Sequence, residues 1–278
     1  MTAYQLLQRS LVPDAGFAEP ELYVRNDRAA DVLNFDTSFG VFHAGRWRRL
    51  TTVDTLTARV VASGEGRAEV VAVTHGRETV LASAQLAGEH VDIALGSLQH
   101  SMWGVLYVRV VGASGSRVQR VEWLTETQPA HEVRLSLSIT TFNRQAYVIP
   151  TVKKVLSLVR GLDSLRGRVR VLVVDNASNV DFGEAPSDDL AVVPNRNLGG
   201  AGGFARGLMW LRAQGWATHV LFMDDDINLE AESLVRTVSL FAYARDPKLC
   251  VHGAMLRDRK STRLNSSHEW ISRMPSSA

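Results

Sequence analysis

Residues 219–244 read HVLFMDDDINLEAESLVRTVSLFAYA, and this stretch decides the fold class. It begins with a short apolar run typical of a buried strand, continues with three consecutive aspartates, and ends in a segment with helical periodicity. A strand, a polar turn and a helix in that order form the repeating unit of a parallel α/β sheet. We therefore predict a strand that ends at Asp224, Asp225 and Asp226.

The segments before this stretch repeat the same alternation. Strands are predicted at RLSLSIT, RVRVLVV, LAVVP and HVLFMDDD, and helices at AYVIPTVKKVLSLVRGL, GGFARGLMWLRAQG and AESLVRTVSLFAYA. Open parallel sheets bind ligands at the carboxyl ends of their strands. The residues that follow each apolar run are therefore the candidates for function.

The first half of the chain has a different sequence pattern. Residues 22–123 hold short β-type runs separated by turn residues, a pattern typical of an antiparallel sandwich or barrel. Two hairpins are predicted, one turning at 63–66 and one at 112–116. The composition changes near residue 130. We predict a β-sandwich or jelly-roll domain, an α/β domain and a non-native or disordered tail over residues 1–130, 131–258 and 259–278, respectively.

The composition narrows the class of protein. The 278 residues are 45% hydrophobic, enough for a substantial core, and 31 Lys and Arg against 29 Asp and Glu leave a net charge of +2. That charge is too small to predict nucleic-acid binding. The single cysteine, Cys250, excludes an internal disulfide framework and favours a cytoplasmic location. We identify no signal peptide in residues 1–13 and no apolar run long enough to span a membrane.

The aspartate triplet is the strongest candidate site. Three adjacent carboxylates repel one another, and a bound cation would remove that repulsion. Because side chains alternate along an extended segment, Asp224 and Asp226 are expected to point to one side. Two hard oxygen ligands so placed suit Mg²⁺ or Mn²⁺ carrying a diphosphate. The alternative is that one aspartate caps the next helix and the others are solvated.

Three further polar segments follow predicted strands. ITTFNR, at 139–144, offers hydroxyls, an aromatic ring and a guanidinium, a set that suits a uridine ring and a phosphate. Asp175 and Asn176 end another strand, where they either bind a base or ribose or form a plain turn. NRNLGGAGGFARG, at 195–207, has four glycines within the five positions 199–203, which favour close backbone approach to a ligand or an anion, or else a mobile loop.

Together these four segments resemble the family-2 inverting glycosyltransferases of the GT-A fold, a Rossmann-like α/β fold. The order TTFNR, VVDNAS, NLGGAGG and then an acidic triplet carries the resemblance. Within that family, NLGGAGGFARG and LFMDDDI look most like the polymerising galactofuranosyltransferases of actinobacterial cell-wall galactan, which also carry an N-terminal β-sandwich. FDTSFGVFHAGRWRRLTTVDTL resembles a segment of that sandwich.

The resemblance implies a donor, an acceptor and a set of site residues. It implies transfer of galactofuranose from UDP-galactofuranose to a lipid-linked galactan, with Mn²⁺ or Mg²⁺ as cofactor. It also implies peripheral contact with the inner face of the plasma membrane and a homo-oligomeric full-length protein. By motif, Asp224 and Asp226 would ligate the metal. The residues that would contact the nucleotide are Thr140, Thr141, Phe142, Arg144, Asp175, Asn197 and Asp225.

The chain departs from this family at two points. Thr140 stands where the resemblance predicts proline. In such enzymes the general base, a further metal-binding histidine and the acceptor-binding tryptophans lie after the segment that matches residues 250–255. We therefore expect a C-terminally truncated chain that lacks the base and turns over poorly. His268 and Glu269 lie in the tail and are not assigned as catalytic residues.

Two other functions stay open from the sequence. One is another family-2 transferase, such as a dTDP-rhamnose-dependent enzyme, because the nucleotide motifs are shared more widely than the sugar specificity. The other is a noncatalytic carbohydrate-binding protein, in which the β-rich half grips glycan and the α/β half has lost its activity.

Overall fold

The computed structural model describes residues 4–12, 22–183 and 187–253. The predicted tail over 259–278, with His268 and Glu269, lies outside these residues. The first half of the described chain contains one α-helix, α1 (Ala44–Leu50), a short 3₁₀ helix (Ala113–Gly115) and nine strands. The strands are β1 (Gln5–Leu11), β2 (Arg25–Asp27), β3 (Val32–Asn34), β4 (Thr55–Gly64), β5 (Arg67–Thr74), β6 (Arg77–Gln85), β7 (His90–Ser97), β8 (Val105–Val111) and β9 (Ser116–Thr125).

These nine strands form two antiparallel sheets. One sheet has the order β1-β9-β4-β7 and the other has the order β2-β3-β8-β5-β6. Val60 and Val121 of the first sheet and Val70 and Val108 of the second are fully buried in one hydrophobic core. Two sheets that share a core in this way form a β-sandwich. The fold class predicted for this half is therefore confirmed.

Both predicted hairpins are wrong. The turn at 63–66 joins β4, which pairs with β7 and β9, to β5, which pairs with β6 and β8. The turn at 112–116 likewise joins strands of different sheets. These two connections between the sheets pack together, because Glu65 donates its N–H to the carbonyl of Gly115 at 2.9 Å. A Cβ on Gly64 would lie 2.3 Å from the same oxygen, so the absence of a side chain at Gly64 allows the two connections to approach closely.

A two-residue hairpin lies between β5 and β6 instead. Thr74 pairs with Arg77 across it. The two residues between them, His75 and Gly76, have φ angles of 51° and 76°. Two consecutive left-handed residues are typical of a type I′ turn, whose twist matches that of the flanking strands.

The second half is a parallel sheet with helices, as predicted. The sheet has the order β12-β11-β10-β13, and all three of its strand pairs are parallel. Each predicted strand and helix of this half is present, with ends shifted by a few residues at most. The elements are β10 (Leu135–Thr141), α2 (Gln145–Gly161), β11 (Val169–Asp175), β12 (Leu190–Pro194), α3 (Gly199–Gln214), β13 (His219–Asp224) and α4 (Ala231–Ala242).

Glycines of α3 allow this helix to lie close against the sheet. A Cβ on Gly203 would come within 2.2 Å of the side chain of Thr140, and one on Gly207 within 2.4 Å of Ser138 Oγ. Both partners are small β10 residues on one face of the strand. These two glycines therefore serve packing rather than contact with a ligand. Gly199 is different, because its φ of 69° lies in the left-handed region.

The two halves share one core. Val121 of the sandwich, Leu137 of the parallel sheet and Val235 of α4 belong to the same buried cluster. The sheet type changes between β9 and β10, which brackets the predicted boundary at residue 130. That division into domains stays a prediction. Among the described residues, no helix is long and apolar enough to cross a membrane.

We predict that Gly203→Ala destabilises the protein, although alanine favours helix more than glycine does. The added methyl group would clash with Thr140, a β-branched side chain with few alternative rotamers. Overpacking of this kind typically costs about 1–3 kcal/mol, which exceeds the gain in helix propensity of about 1 kcal/mol. Urea denaturation measures the difference.

Gly200→Ala is the matched control. It lies in the same helix, and outside its own stretch of that helix no atom of the described residues lies within 4 Å of the position of its Cβ. This variant should be as stable as the wild type or more stable. Equal stabilities of the two variants would contradict the packing role of Gly203.

Candidate functional site

Three neighbouring strands end together at the candidate site. β10 lies between β11 and β13, and its last residues are in register with both. Thr140 is paired with Asp224 of β13, and Thr141 is paired with Asp175 of β11. The structure thus brings the predicted segments after β10, β11 and β13 to one edge of the sheet, where open parallel sheets bind ligands.

The middle aspartate of the triplet is turned inward. Asp225 is 4% exposed, whereas Asp224 and Asp226 are exposed. Thr141 donates its hydroxyl to Asp225 Oδ2 at 2.7 Å, and Arg144 Nη1 lies 3.0 Å from Asp225 Oδ1. Buried carboxylates require such partners because transfer from water is unfavourable. Asp225 therefore joins β13 to the segment that follows β10.

Arg144 also reaches the outer side of the triplet. Its Nη2 donates to Asp226 Oδ2 at 2.9 Å, so one guanidinium spans two of the three carboxylates. The guanidinium carbon lies 4.6 Å from the ring centroid of Tyr147. The hydrogen bond to Asp226, followed by the nearby charge of Asp225, raises the pKa of Arg144 above its ordinary value. The guanidinium is a fixed positive charge beside the triplet.

Asp175 is at the site edge, but its carboxylate serves the loop after β11. It is 2% exposed and accepts hydrogen bonds from the backbone N–H groups of Ala177, Asn179 and Val180 at 2.6–2.9 Å. Three backbone donors of this kind fix the course of a turn. The structure therefore gives Asp175 the turn role that was the alternative in the sequence, and direct contact with a nucleotide stays a prediction.

Asn176 connects the glycine-rich segment to the same edge. Its side-chain amide donates to the carbonyl of Gly199 at 3.2 Å, and its oxygen accepts from Asn195 Nδ2 at 2.8 Å. Asn197 is exposed and accepts from the N–H of Gly199 at 3.0 Å. Asn195 was not singled out from the sequence. The only indication of its role in the sequence is that Asn195 lies two residues before Asn197 in NRNLGG.

The remaining predicted nucleotide residues differ in exposure. Phe142 is 46% exposed, so its ring is available to a ligand. Thr141 is 2% exposed and uses its hydroxyl within the protein. The hydroxyl of Thr140 is buried against α3 and has no hydrogen-bond partner among the described residues. Of the two threonines, neither presents a free hydroxyl at the surface.

Helix α2 holds the segment that follows the triplet, a role that the sequence did not indicate. Thr151 donates to the carbonyl of Asp225 at 3.2 Å, and Lys154 donates to Asn228 at 2.5 Å. A cleft of about 230 Å³ opens between this helix and residues 226–229. Asp226 lines the cleft, so the outer side of the triplet faces a space that a ligand group can enter.

The two glutamates that follow the triplet are not assigned as the general base. The carboxylates that follow the triplet, Glu230 and Glu232, accept hydrogen bonds from Tyr23 and Arg9. A base must be free to reach the proton that it removes.

The donor set fits a cation that is shared with a ligand. Asp224 and Asp226 offer hard oxygen atoms on the exposed side. Magnesium and manganese are commonly held by one or two carboxylates together with substrate phosphates. Within residues 4–12, 22–183 and 187–253, no three His, Cys, Asp or Glu side chains assemble as a metal group. The site thus fits a metal–diphosphate complex rather than a metal held by protein alone.

Comparison with known families agrees with this architecture. Residues 136–277 match the model of glycosyl transferase family 2, which covers just over half of the chain. Residues 22–126 match the model described as galactofuranosyltransferase 2 N-terminal. These matches confirm the resemblance in both halves.

Two curated relatives are similar over most of the chain. Galactofuranosyltransferase GlfT2 of Mycolicibacterium smegmatis is 27% identical over an alignment of 258 residues, which covers 87% of this chain and 39% of the relative. GlfT2 of Mycobacterium tuberculosis is 26% identical over 265 residues, 88% of this chain and 40% of the relative. The chain thus spans about two fifths of their length.

A solved structure is also similar to part of the chain. It is mannosyltransferase PcManGT from Pyrobaculum calidifontis in complex with GDP-Man and Mn²⁺, at 20% identity and a TM-score of 0.33. The similarity covers 44% of this chain and 35% of that one. This overlap is too small to support any conclusion about the site.

We predict that Thr141→Val destabilises the protein by about 1–3 kcal/mol, because it leaves the buried Asp225 carboxylate without its hydroxyl donor. Thr140→Val is the control: it makes the same chemical change one residue earlier, at a hydroxyl that has no partner among the described residues. Removal of an unpaired buried hydroxyl should be neutral or stabilising. Urea denaturation of both variants checks the pair, and equal losses would contradict the anchoring role of Thr141.

Proposed function

The chain belongs to glycosyl transferase family 2, and from that premise we propose that it binds UDP-galactofuranose for inverting transfer of galactofuranose to a lipid-linked galactan. The proposal concerns the nucleotide-sugar-binding part of such an enzyme. A role in cell-wall synthesis, peripheral contact at the inner face of the plasma membrane and a homo-oligomeric full-length protein belong to the same proposal.

The observation that carries the proposal is the shared edge of β10, β11 and β13. Within the region that matches family 2, strand register sets Thr140 beside Asp224 and Thr141 beside Asp175. An exposed aromatic ring and a guanidinium follow β10 there, and two exposed carboxylates lie at and just after the end of β13. These are groups that suit a base, a diphosphate and a divalent cation.

Each group has a role toward the donor in this proposal. Phe142 offers its exposed ring to the uracil. Arg144 lies beside the triplet as a fixed positive charge for the diphosphate, and Asn197 lies at the start of α3 near the nucleotide. Thr140, Thr141, Asp175 and Asp225 support these groups through the packing and hydrogen bonds described above.

Asp224 and Asp226 would hold Mn²⁺ or Mg²⁺. The cation supplies charge stabilisation for the departing diphosphate when it is bound. The chain's own residues contribute the rest of the site: Arg144 adds positive charge, and the buried link from Asp225 to Thr141 fixes the strand end. The residue that removes the proton from the acceptor is left unassigned.

The choice of sugar rests on the first half of the chain and on the relatives. The N-terminal family match and both curated relatives carry the description galactofuranosyltransferase. Nucleotide motifs alone are shared more widely than sugar specificity.

We predict that the protein binds UDP only when Mn²⁺ is present and that Asp226→Ala weakens this binding by at least about tenfold, since the loss of even an outer-shell partner commonly costs about 10–100-fold in metal affinity. Isothermal titration with UDP and Mn²⁺ measures the dissociation constants. Asp163→Ala is the control, because its side chain is 92% exposed and lies on a loop after α2. Unchanged metal-dependent binding in Asp226→Ala would favour the noncatalytic alternative.

A second prediction concerns the nucleotide. In the same titration, UDP should bind more tightly than dTDP. The expected preference arises from recognition of the ribose and the base. A site that hydrogen-bonds a hydroxyl group discriminates strongly against a ligand that lacks this group. A clear preference for dTDP would instead support the dTDP-rhamnose alternative.

A further inference from the structure

We propose that the N-terminal sandwich is a working part of the candidate site, and that Tyr23 and Glu230 are positioning residues that fix the segment after the aspartate triplet. The inference rests on the proposed function, since it concerns the same site. It assigns a role to a contact between residues 207 positions apart.

The contact itself joins the sandwich to the start of α4. Tyr23 is 1% exposed and donates its hydroxyl to Glu230 Oε1 at 2.5 Å. Burial, and then the hydrogen bond to Glu230, raises the pKa of Tyr23 above its ordinary value, so the phenol keeps the proton that it donates. Hydrogen bonds to a charged acceptor are among the stronger ones in proteins.

Glu230 is well placed to transmit this contact. It immediately precedes α4 and makes no side-chain cap to the helix. Only three residues separate it in sequence from Asp226. A shift of Glu230 therefore moves the end of a short segment whose other end carries the exposed carboxylates of the site.

The same segment is held independently on its other side. Thr151 and Lys154 of α2 bind the carbonyl of Asp225 and the side chain of Asn228. Between these ties, Ile227 and Leu229 pack against the core as partly buried side chains. The segment is thus fixed by α2 at its start and by the sandwich at its end.

Other polar contacts between α4 and the sandwich lie further from the triplet. Arg9 donates to the fully buried Glu232 at 2.6 Å, and Arg236 binds the carbonyl of Phe39. Ser239 donates to the carbonyl of Leu6 at 3.1 Å. These contacts hold α4 on the sandwich, whereas the Tyr23 contact acts at the helix start. They therefore provide a matched control for interface stability without a direct link to the triplet.

Tyr23→Phe and Ser239→Ala together test the inference, because each removes one hydrogen bond across the same interface. Hydrogen exchange of a peptide covering residues 224–230 should become several-fold faster in Tyr23→Phe and stay at the wild-type rate in Ser239→Ala. In the presence of Mn²⁺, the dissociation constant of UDP should rise about fivefold or more in Tyr23→Phe alone, as is typical of coupled sites.

Variants of the acceptor separate a positioning role from a loss of stability. Glu230→Gln keeps an oxygen that accepts from Tyr23 but loses the charge, so its changes in both measurements should be smaller than those of Glu230→Ala. Glu230→Ala should behave like Tyr23→Phe. Wild-type exchange and UDP affinity in Tyr23→Phe would overturn the inference, as would equal changes in Ser239→Ala.

The two proposals fail in different ways. If the wild-type protein shows no metal-dependent UDP binding, the proposed function is wrong, and the exchange rates alone decide whether Tyr23 fixes residues 224–230. If the wild type binds UDP and the exchange of this peptide is the same in Tyr23→Phe, the positioning role is wrong and the proposed function stands.

Discussion

The burial of one carboxylate among three adjacent ones is the constraint on which the site depends. Three neighbouring aspartates at a strand end repel one another in water. In this structure Asp225 is turned inward, where Thr141 and Arg144 provide a hydroxyl and a positive charge. Because strand residues alternate, this inward turn leaves Asp224 and Asp226 on the exposed side. The same contact joins the end of β13 to the loop after β10. The burial of Asp225 therefore determines both which carboxylates are exposed and how the two strand ends are held together.

The parallel half was largely readable from the sequence, because its strands and helices differ in hydrophobic period and in length. The edge that collects the polar segments follows from the parallel topology itself. The sandwich was harder. The turns at 63–66 and 112–116 contain residues suited to hairpins, yet both cross between sheets. Turn residues report that the chain reverses, whereas the choice of strand partner depends on packing between distant segments.

Other parts of the site could not be predicted for a similar reason. The glycine-rich sequence of α3 favours close approach to a ligand or an anion, or else a mobile loop, but in the structure Gly203 and Gly207 approach Thr140 and Ser138. A glycine shows that space is limited and does not show what occupies it. Asp175 likewise looked free to bind a nucleotide until its three backbone donors were known. Glu230 contacts Tyr23, which lies 207 positions earlier, and no local sequence pattern indicates this contact.

The ties between α4 and the sandwich have a consequence for the order of folding. They join residues 207 and 223 positions apart, and such distant contacts form only after a long stretch of chain has been closed. During synthesis, Tyr23 and Arg9 emerge long before Glu230 and Glu232, and N-terminal units generally fold first. A sandwich that is already folded can then act as a template on which α4 docks. Among the described residues, the acidic edge would accordingly reach its final form late, together with α4.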